Sequence, residues 1–356
     1  PPVLVDEWQR YPESWDRVRR AVDEGAPPGS YLLTGSATTT AATHSGAGRI
    51  VRLRMRPLSL AERRIAEPTV SLGRMLAGTR PVVEGQTSLT VADYVDEIVG
   101  SGFPGTRAMS WRSREAVLDS YLDRIVEHDF PELDRVVRHP TRLRQWMTAY
   151  AAASSTAASY ESIRDAATGG HGDKPAKSTT QPYREILERL WVVEPVPAWL
   201  PSRNHFRRLT AAPKHRLCDP ALSARLLGVD REALLDLSPV VTPRARDTTL
   251  SGQLFESLVW LSVASYAQAA RARVRHLRTR AGEREIDLVV ERADQRVVAI
   301  KVKLSTTVDD ADVRHLRWLQ DQLGPDLLDA VVVTTGADAY RRRDGIAVVP
   351  AALLGP

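Results

Sequence analysis

The stretch Val3-Leu4-Val5-Asp6-Glu7 decides the fold class of this 356-residue chain. A short apolar run that ends in two acids is typical of a buried parallel strand, which is covered on both faces and carries polar side chains at its carboxyl end. Apolar residues at helical spacing follow in residues 12–23, and Tyr31-Leu32-Leu33-Thr34-Gly35-Ser36 has the pattern of the next buried strand. Strand, helix and strand in this order predict an α/β domain with a parallel sheet.

The remaining chain divides into a helical middle and a second α/β unit. Residues 50–55 alternate apolar residues with arginines, which predicts a half-exposed strand closed by Pro57. Helical apolar spacing begins at residue 113 and continues to about residue 158. The later pattern predicts helices at 254–270 and 313–323 and strands at 286–290, 297–302 and 330–334. We therefore expect domains at residues 1–100, 101–240 and 241–356.

Composition narrows the class of protein. Hydrophobic residues make up 43% and charged residues 26% of the chain, as in soluble globular proteins. No apolar run approaches the roughly 18 residues that a membrane helix needs, and the N-terminus has no secretory signal pattern. These features predict a cytoplasmic protein without a membrane partner. The single cysteine, Cys218, excludes an internal disulfide and a thiolate metal cluster, and we expect it to pack in a core.

The net charge of +5 is a modest excess that arginine dominates. Its densest local cluster supports two interpretations, a solvated helix face or strand edge and a surface that contacts phosphates. The cluster comprises Arg271, Arg273, Arg275, His276, Arg278 and Arg280.

Asp6 and Glu7 stand where ATP hydrolysis would need them. In such a site the first acid at a strand end holds Mg²⁺ and the second polarises the attacking water. The pair alone is unspecific, because a solvated strand end or a helix cap has the same letters.

Four further segments of the sequence make a role in ATP hydrolysis more specific for Asp6 and Glu7. They are Gln9-Arg10-Tyr11-Pro12, the segment 31–36, Gly48-Arg49 and residues 56–62. In this order they resemble a family of bacterial and archaeal AAA-like ATPases. The resemblance implies ATP and Mg²⁺ as cofactors, Asp6 and Glu7 as Walker B acids with Asp6 as the metal ligand, and Thr34 or Ser36 as the nucleotide sensor. Arg49 corresponds to the family's Gly-Arg pair, where a structural role and a phosphate or partner contact both remain open. We expect Glu62 to cap or pair locally.

The phosphate-binding loop of such enzymes is missing from the sequence. No Gly-x-x-x-x-Gly-Lys-[Ser/Thr] occurs, and residues 172–178 are only a near miss with Ala176 in place of the second glycine. We therefore expect an N-terminally truncated P-loop sheet, and weak or no ATP binding and hydrolysis by the chain as it stands.

The middle region resembles a later part of the same family, through residues 103–104, 121–129 and 213–222. The resemblance suggests a winged helix with its second helix at 159–167 and its third at 183–191. The exposed face of that third helix offers two arginines and two acids, so DNA binding and a structural or partner-docking role both remain open. The four residues are Arg184, Glu185, Glu188 and Arg189.

The last domain resembles the restriction-endonuclease-like fold, in which a helix glutamate, a strand aspartate and a Glu-x-Lys pair converge on Mg²⁺. Glu256 matches the helix acid and Asp287 the strand acid. Lys301 occupies the position of the third acid and Lys303 that of the catalytic lysine. A cation at 301 repels a metal, so we expect a degenerate nuclease site. A partly buried ion pair of Asp287 with Lys301 or Lys303 is the alternative.

Three hypotheses about function follow. The first is an AAA-like ATPase whose later domains sense or grip a partner, with homo-oligomers possible. The second is a DNA-binding or inactive nuclease-like module, and the third is a regulatory partner of the toxin-antitoxin type.

Overall fold

The computed structural model describes residues 2–35, 46–130, 140–168, 176–201, 211–236, 249–279 and 282–356. Its first unit consists of strand β1 (Val3–Val5), helix α1 (Glu13–Asp23) and strand β2 (Tyr31–Leu33). The two strands pair in parallel with Val5 opposite Leu33, which confirms the predicted strand, helix, strand order. Trp8 and Trp15 pack against each other, with ring centroids 4.8 Å apart, and join the loop after β1 to α1.

These two strands are more exposed than their sequence predicts. Val3 is 50% and Leu4 62% exposed, so the expectation of strands buried on both faces is wrong for the described residues. The physical reason is that β1 and β2 pair only with each other within the described ranges.

The segment 51–56 inverts the predicted pattern. No strand forms there, and Val51, Leu53 and Met55 are exposed. Arg54 and Arg56 instead lie partly buried, because both pair with the Glu194 carboxylate, at 2.6 and 2.9 Å. The charged face of this segment therefore packs inward and its apolar face lies outward.

Residues 60–99 form short elements that pack against the C-terminal part of the chain. Ser59 caps the first helix in a capping box with Glu62, which confirms the expected local role of Glu62. The elements are α2 (Leu60–Arg63), β3 (Val70–Ser71), α3 (Leu72–Leu76), β4 (Gly85–Gln86) and α4 (Val91–Val99).

The middle of the chain is helical, as predicted. A π-helical turn, Ile125–Asp129, continues the first of its helices, and a shared apolar core holds most of the helices together. The predicted glycine-rich loop at 169–175 lies outside the described residues. The helices are α5 (Trp111–Arg124), α6 (Pro140–Ala152), α7 (Tyr160–Ala166), α8 (Lys177–Arg189), α9 (Pro220–Leu227) and α10 (Arg231–Leu235).

The C-terminal unit is built on a seven-stranded mixed sheet in the order β4-β9-β10-β8-β7-β6-β5. Its three central strands, β10, β8 and β7, are parallel, and their continuous apolar runs suit strands covered on both faces. The elements are α11 (Leu250–Ala269), β5 (Arg273–Arg278), β6 (Glu285–Glu291), β7 (Val297–Val302), α12 (Asp310–Leu323), β8 (Leu327–Thr334), β9 (Asp338–Arg341), β10 (Ala347–Pro350) and β11 (Leu354–Gly355).

Helices cover both faces of this sheet. On one face α11 packs with α2, α3 and α4 into a single core that includes Tyr94 and Phe255, whose ring centroids are 5.4 Å apart. On the other face α12 contributes Val313, Leu316 and Leu319. The chain is thus a mixed α/β protein, and residues 60–99 share the core of the C-terminal sheet. Within the described ranges, no helix is both long and apolar enough to cross a membrane.

Candidate functional site

The carboxyl ends of β1 and β2 bring Asp6 and Thr34 together. Because the strands are parallel and Val5 lies opposite Leu33, the next residue on each strand falls at the same edge. The Thr34 amide donates to the carbonyl of Val5 at 2.9 Å, and the Thr34 hydroxyl donates to the Asp6 carboxylate. The arrangement places a hydroxyl and a carboxylate, a group that can bind Mg²⁺, side by side at a solvent-exposed strand edge.

Glu7 follows in a strained backbone conformation. Its φ of 49° and ψ of 43° lie in the left-handed region, which few residues other than glycine adopt. The Gln9 amide donates to the Glu7 carboxylate and fixes its direction. Left-handed residues often occur where a functional side chain must be aimed, so the observation fits a role for Glu7 beyond packing.

Arg49 and Ser36 do not join this pair in the described structure. Arg49 pairs with Asp23 at the end of α1 and donates to the Ala47 carbonyl at 3.2 Å. These contacts favour the structural interpretation of Arg49, and its contact with a phosphate or a partner stays a prediction. Ser36, the alternative sensor, lies outside the described residues.

A second, buried cluster of charges lies where α11 meets β6, β7 and the segment 211–217. Helix α11 supplies Glu256, β6 supplies Glu285 and Asp287, and β7 supplies Lys301. The structure thus brings together three of the four predicted nuclease-like residues. Lys303 lies apart, because its ammonium pairs with Asp312 of α12 at 2.9 Å.

Lys214 occupies the middle of the acids. Its ammonium, fully buried, lies 3.2 Å from Glu256, 2.8 Å from Glu285 and 3.3 Å from Asp287. Burial alone would lower the pKa of Lys214, but these three carboxylates outweigh it and raise that pKa above its usual value. The lysine is therefore charged, and the carboxylates surround a cation that the protein itself provides.

The Asp287 carboxylate contacts two ammonium groups and a backbone amide. Lys301 lies 3.0 Å from its carboxylate, and the Val302 amide donates to it at 2.8 Å. Burial opposes the charged form, yet Lys301, Lys214 and the Val302 amide together hold the pKa of Asp287 well below its usual range. The predicted ion pair of Asp287 forms with Lys301.

Arg216 extends the cluster toward the middle of the chain. It donates to the hydroxyls of Ser155 at 2.8 Å and Ser257 at 3.2 Å and pairs with Glu256. The guanidinium also lies 5.6 Å from the centroid of the Trp260 ring. Burial nevertheless raises the pKa of Glu256, despite the charges of Lys214 and Arg216.

The backbone of residues 214–217 explains why two cations reach one site. Lys214 and Val196 exchange two backbone hydrogen bonds, at 2.8 and 3.0 Å, so the segment is extended and alternate side chains point the same way. Lys214 and Arg216 face the acids, while His215 packs between the rings of Tyr150 and Tyr160, at 5.0 and 4.9 Å. One short segment therefore holds the helical middle and the C-terminal sheet together.

The charge cluster does not fit a divalent cation. An ammonium at contact distance from three carboxylates takes the place such an ion would need, and Lys301 adds a second repelling charge. The described residues contain no group of three His, Cys, Asp or Glu side chains able to hold a metal.

Sequence reasoning missed Lys214, Arg216, Glu285 and Ser155. A signal was present, because Lys214 and Arg216 alternate with His215 immediately before the apolar Leu217 and Cys218, in a chain with five lysines. Two cations on one side of a short extended segment indicate acidic partners elsewhere in the fold. Nothing in the sequence identifies those partners.

The proposed DNA-reading face of α8 is partly engaged within the chain. The Arg184 guanidinium lies 4.6 Å from the centroid of the Tyr160 ring and pairs with Glu188 at 3.6 Å. These contacts favour the structural interpretation of that helix, and its binding to DNA stays a prediction.

Three family models match successive parts of the chain. Residues 1–63 match an AAA domain, residues 91–233 match a domain of unknown function (DUF8612), and residues 251–354 match a domain of unknown function (DUF4143). No curated protein and no solved structure matches significantly. The first and third matches support the predicted relationship to AAA-like ATPases that carry a C-terminal domain of unknown function.

Proposed function

We propose that residues 1–63 supply the hydrolytic acids of an AAA-type ATP site. The observation that carries this proposal is the contact between the Thr34 hydroxyl and the Asp6 carboxylate at the carboxyl edge of two parallel strands. The match of residues 1–63 to an AAA domain supports it independently. In this arrangement Asp6 is the acid for Mg²⁺, Glu7 activates water and Thr34 senses the nucleotide.

The residues fit these roles chemically. Mg²⁺ in phosphate-binding sites is held by one or two carboxylates together with phosphate oxygens and water, and the exposed Asp6 can be such a ligand. When bound, the ion neutralises the charge that develops on the phosphates. The Glu7 carboxylate, held by Gln9, would orient a water and accept its proton, and the Thr34 hydroxyl keeps Asp6 in place.

The binding of the triphosphate needs groups outside these elements. The 356 residues contain no Gly-x-x-x-x-Gly-Lys-[Ser/Thr], the motif whose amides and lysine hold the β- and γ-phosphates. We therefore expect weak ATP binding by this chain alone. The test belongs on the complete gene product.

The decisive measurement is ATP turnover by that gene product and by its Glu7→Gln variant. Loss of a positioned general base lowers kcat by about 10²- to 10⁴-fold, while the affinity for a fluorescent ATP analogue is retained. The matched control is Glu24→Gln, which neutralises an exposed glutamate at the end of α1 and leaves turnover unchanged. Equal turnover in Glu7→Gln and the parent protein would remove Glu7 from the mechanism.

We infer a different role for the C-terminal unit, that of a metal-independent docking unit with a degenerate nuclease-like site. The ammonium of Lys214 lies between Glu256, Glu285 and Asp287 and balances their charge together with Arg216 and Lys301. The same lysine belongs to the segment that packs against the helical middle through His215. Incubation with duplex DNA and either Mg²⁺ or Mn²⁺ tests this inference, because specific cleavage that Asp287→Asn abolishes would contradict it.

A further inference from the structure

A basic groove lies near the charge cluster, and its lining includes Trp260, whose ring the Arg216 guanidinium approaches to 5.6 Å. It is bounded by the C-terminal end of α11, the first half of β5 and residues 194–197, and its volume is about 470 Å³. Strand β5 is the edge strand of the large sheet, and its later half pairs with residues 197–199. The groove runs along the earlier half.

The rim of the groove carries two exposed arginines, Arg271 and Arg273. Neither guanidinium has a hydrogen bond or ion pair with the described part of the chain. Arg271 has a φ of 55°, in the left-handed region, where the chain turns from α11 into β5. Exposed guanidinium groups without partners are available for a ligand.

The wall of the groove offers two further donors. Among the described residues, the Trp260 indole nitrogen and the Arg56 Nε are buried and have no hydrogen-bond partner. Both residues line the groove. Buried donors without an acceptor are rare in folded proteins, since losing water without gaining a partner is unfavourable. The wall of the groove therefore contains two unsatisfied donors.

The charge of the groove is positive. Its lining includes four arginines, at positions 56, 271, 273 and 275, and one acid, Glu194, and Arg275 pairs with Glu291 outside the lining at 2.9 Å. Glu194 is already committed to Arg54 and Arg56. Apolar side chains, among them Ala264, Ala272 and Val274, form much of the remaining lining.

We propose that this groove binds the phosphodiester backbone of single-stranded nucleic acid. Phosphate oxygens accept hydrogen bonds without donating any, and guanidinium groups match them in geometry. A basic groove whose lining includes apolar side chains can hold a backbone together with a neighbouring sugar or base. In a duplex that base is stacked inside the helix, so the proposal concerns a single strand. The surface is distinct from the ATP site and from the acids around Lys214.

Fluorescence anisotropy with a labelled oligodeoxynucleotide of about 16 nucleotides tests this proposal between about 50 and 200 mM salt. The test variant is Arg271→Gln/Arg273→Gln. The matched control is Arg112→Gln/Arg343→Gln, which removes the same two charges from exposed positions outside the groove.

We expect the parent protein to bind the oligonucleotide with an affinity that falls as salt rises. Each lost phosphate contact lowers the slope of log K against log salt by about 0.7, so the test variant should lose about 1.4 in slope. Its affinity at low salt should fall at least about tenfold, while the control changes less than about twofold. Unchanged thermal unfolding of both variants shows that the loss is local.

The proposal is overturned by absent binding, by salt-independent binding, by equal losses in the test and control variants, or by tighter binding of a poly-glutamate peptide than of the oligonucleotide. Competition with inorganic pyrophosphate distinguishes a nucleic-acid strand from a small phosphorylated ligand as the occupant of the groove. Complete displacement at equal phosphate concentration would assign the groove to a small phosphorylated ligand and contradict the binding of a strand.

Discussion

The Lys214→Met substitution tests the charge cluster most directly. Methionine retains a long flexible side chain but removes the ammonium. The buried cluster contains Lys214, Arg216 and Lys301 as cations and Glu256, Glu285 and Asp287 as anions, so its formal charge changes from zero to −1. The surrounding packing is retained, and the change therefore isolates the charge.

The expected loss of stability is several kcal/mol. Each ammonium–carboxylate contact at about 3 Å is worth about 5 kcal/mol at an effective dielectric constant of about 20. The unfavourable burial of the ammonium offsets much of this attraction. Removal of one partner from a buried ion pair destabilises proteins by about 3–5 kcal/mol, and we expect a value in that range.

The loss should also depend on pH in a defined direction. Burial already raises the pKa of Glu256, and removal of Lys214 raises it further. A carboxyl with a raised pKa in the folded state loses stability as the pH rises from about 4.3, its unfolded value, through the folded pKa. The difference between parent and variant should therefore be larger at pH 8 than at pH 5.

Urea unfolding followed by tryptophan fluorescence measures both effects. Lys177→Met is the matched control, because Lys177 is exposed at the start of α8, and it should change the free energy of unfolding by less than about 0.5 kcal/mol. Adding Glu256→Gln to Lys214→Met restores formal neutrality and should recover at least about 1 kcal/mol. A loss below about 1 kcal/mol at pH 7, or a loss equal at both pH values, would refute the argument.

Three further expectations follow from other contacts. Burial lowers the pKa of His276 to about 4, so protonation of this side chain should lower the free energy of unfolding of the parent protein by about 3 kcal/mol between pH 6.5 and 4. The His276→Gln variant should not show this loss, and equal pH dependence of urea unfolding in the two proteins would contradict the expectation. Buried Asp219 accepts from Ser101 at 2.8 Å, Gly102 at 2.7 Å and Ala221 at 2.8 Å, so Asp219→Ala should destabilise by about 3 kcal/mol or more in urea, and a loss under about 1 kcal/mol would refute it. The variant Lys214→Ala/Lys301→Glu removes two cations and places four carboxylates close together, so Mn²⁺ should raise its melting temperature. Mn²⁺ should not raise the melting temperature of the control Lys214→Ala/Lys301→Gln. Equal shifts in the two variants would show that the site binds no metal.

The C-terminal strands were predictable because their local sequence and their environment agree. Strand β7 has the predicted bounds, Val297–Val302, since a continuous apolar run suits a strand that helices cover on both faces. The predicted strand at 50–55 fails for the opposite reason. Its alternation is real, but Glu194, almost 140 residues away, binds the arginines and reverses which side packs inward.

The two candidate sites differ in the same respect, because one depends on local sequence and the other on contacts between distant residues. The contact of Asp6 with Thr34 follows from the ends of two adjacent parallel strands, which the sequence defines locally. The role of Lys214 depends on a residue 73 positions away, Asp287, and on an extended segment stabilised by Val196. Sequence patterns of single elements contain no information about such pairings, and only the packed structure assigns them.

The position of Lys214 links the folding of two parts of the chain. Three carboxylates close together in a core cannot all remain charged without a cation, because burial strongly disfavours unpaired charges. That cation arrives on the segment 211–217, whose His215 packs against the helical middle. Undocking of the helical middle would remove Lys214 and Arg216 from the acids at once. Through Lys214 and Arg216, these three acids therefore stabilise the contact between the helical middle and the C-terminal sheet.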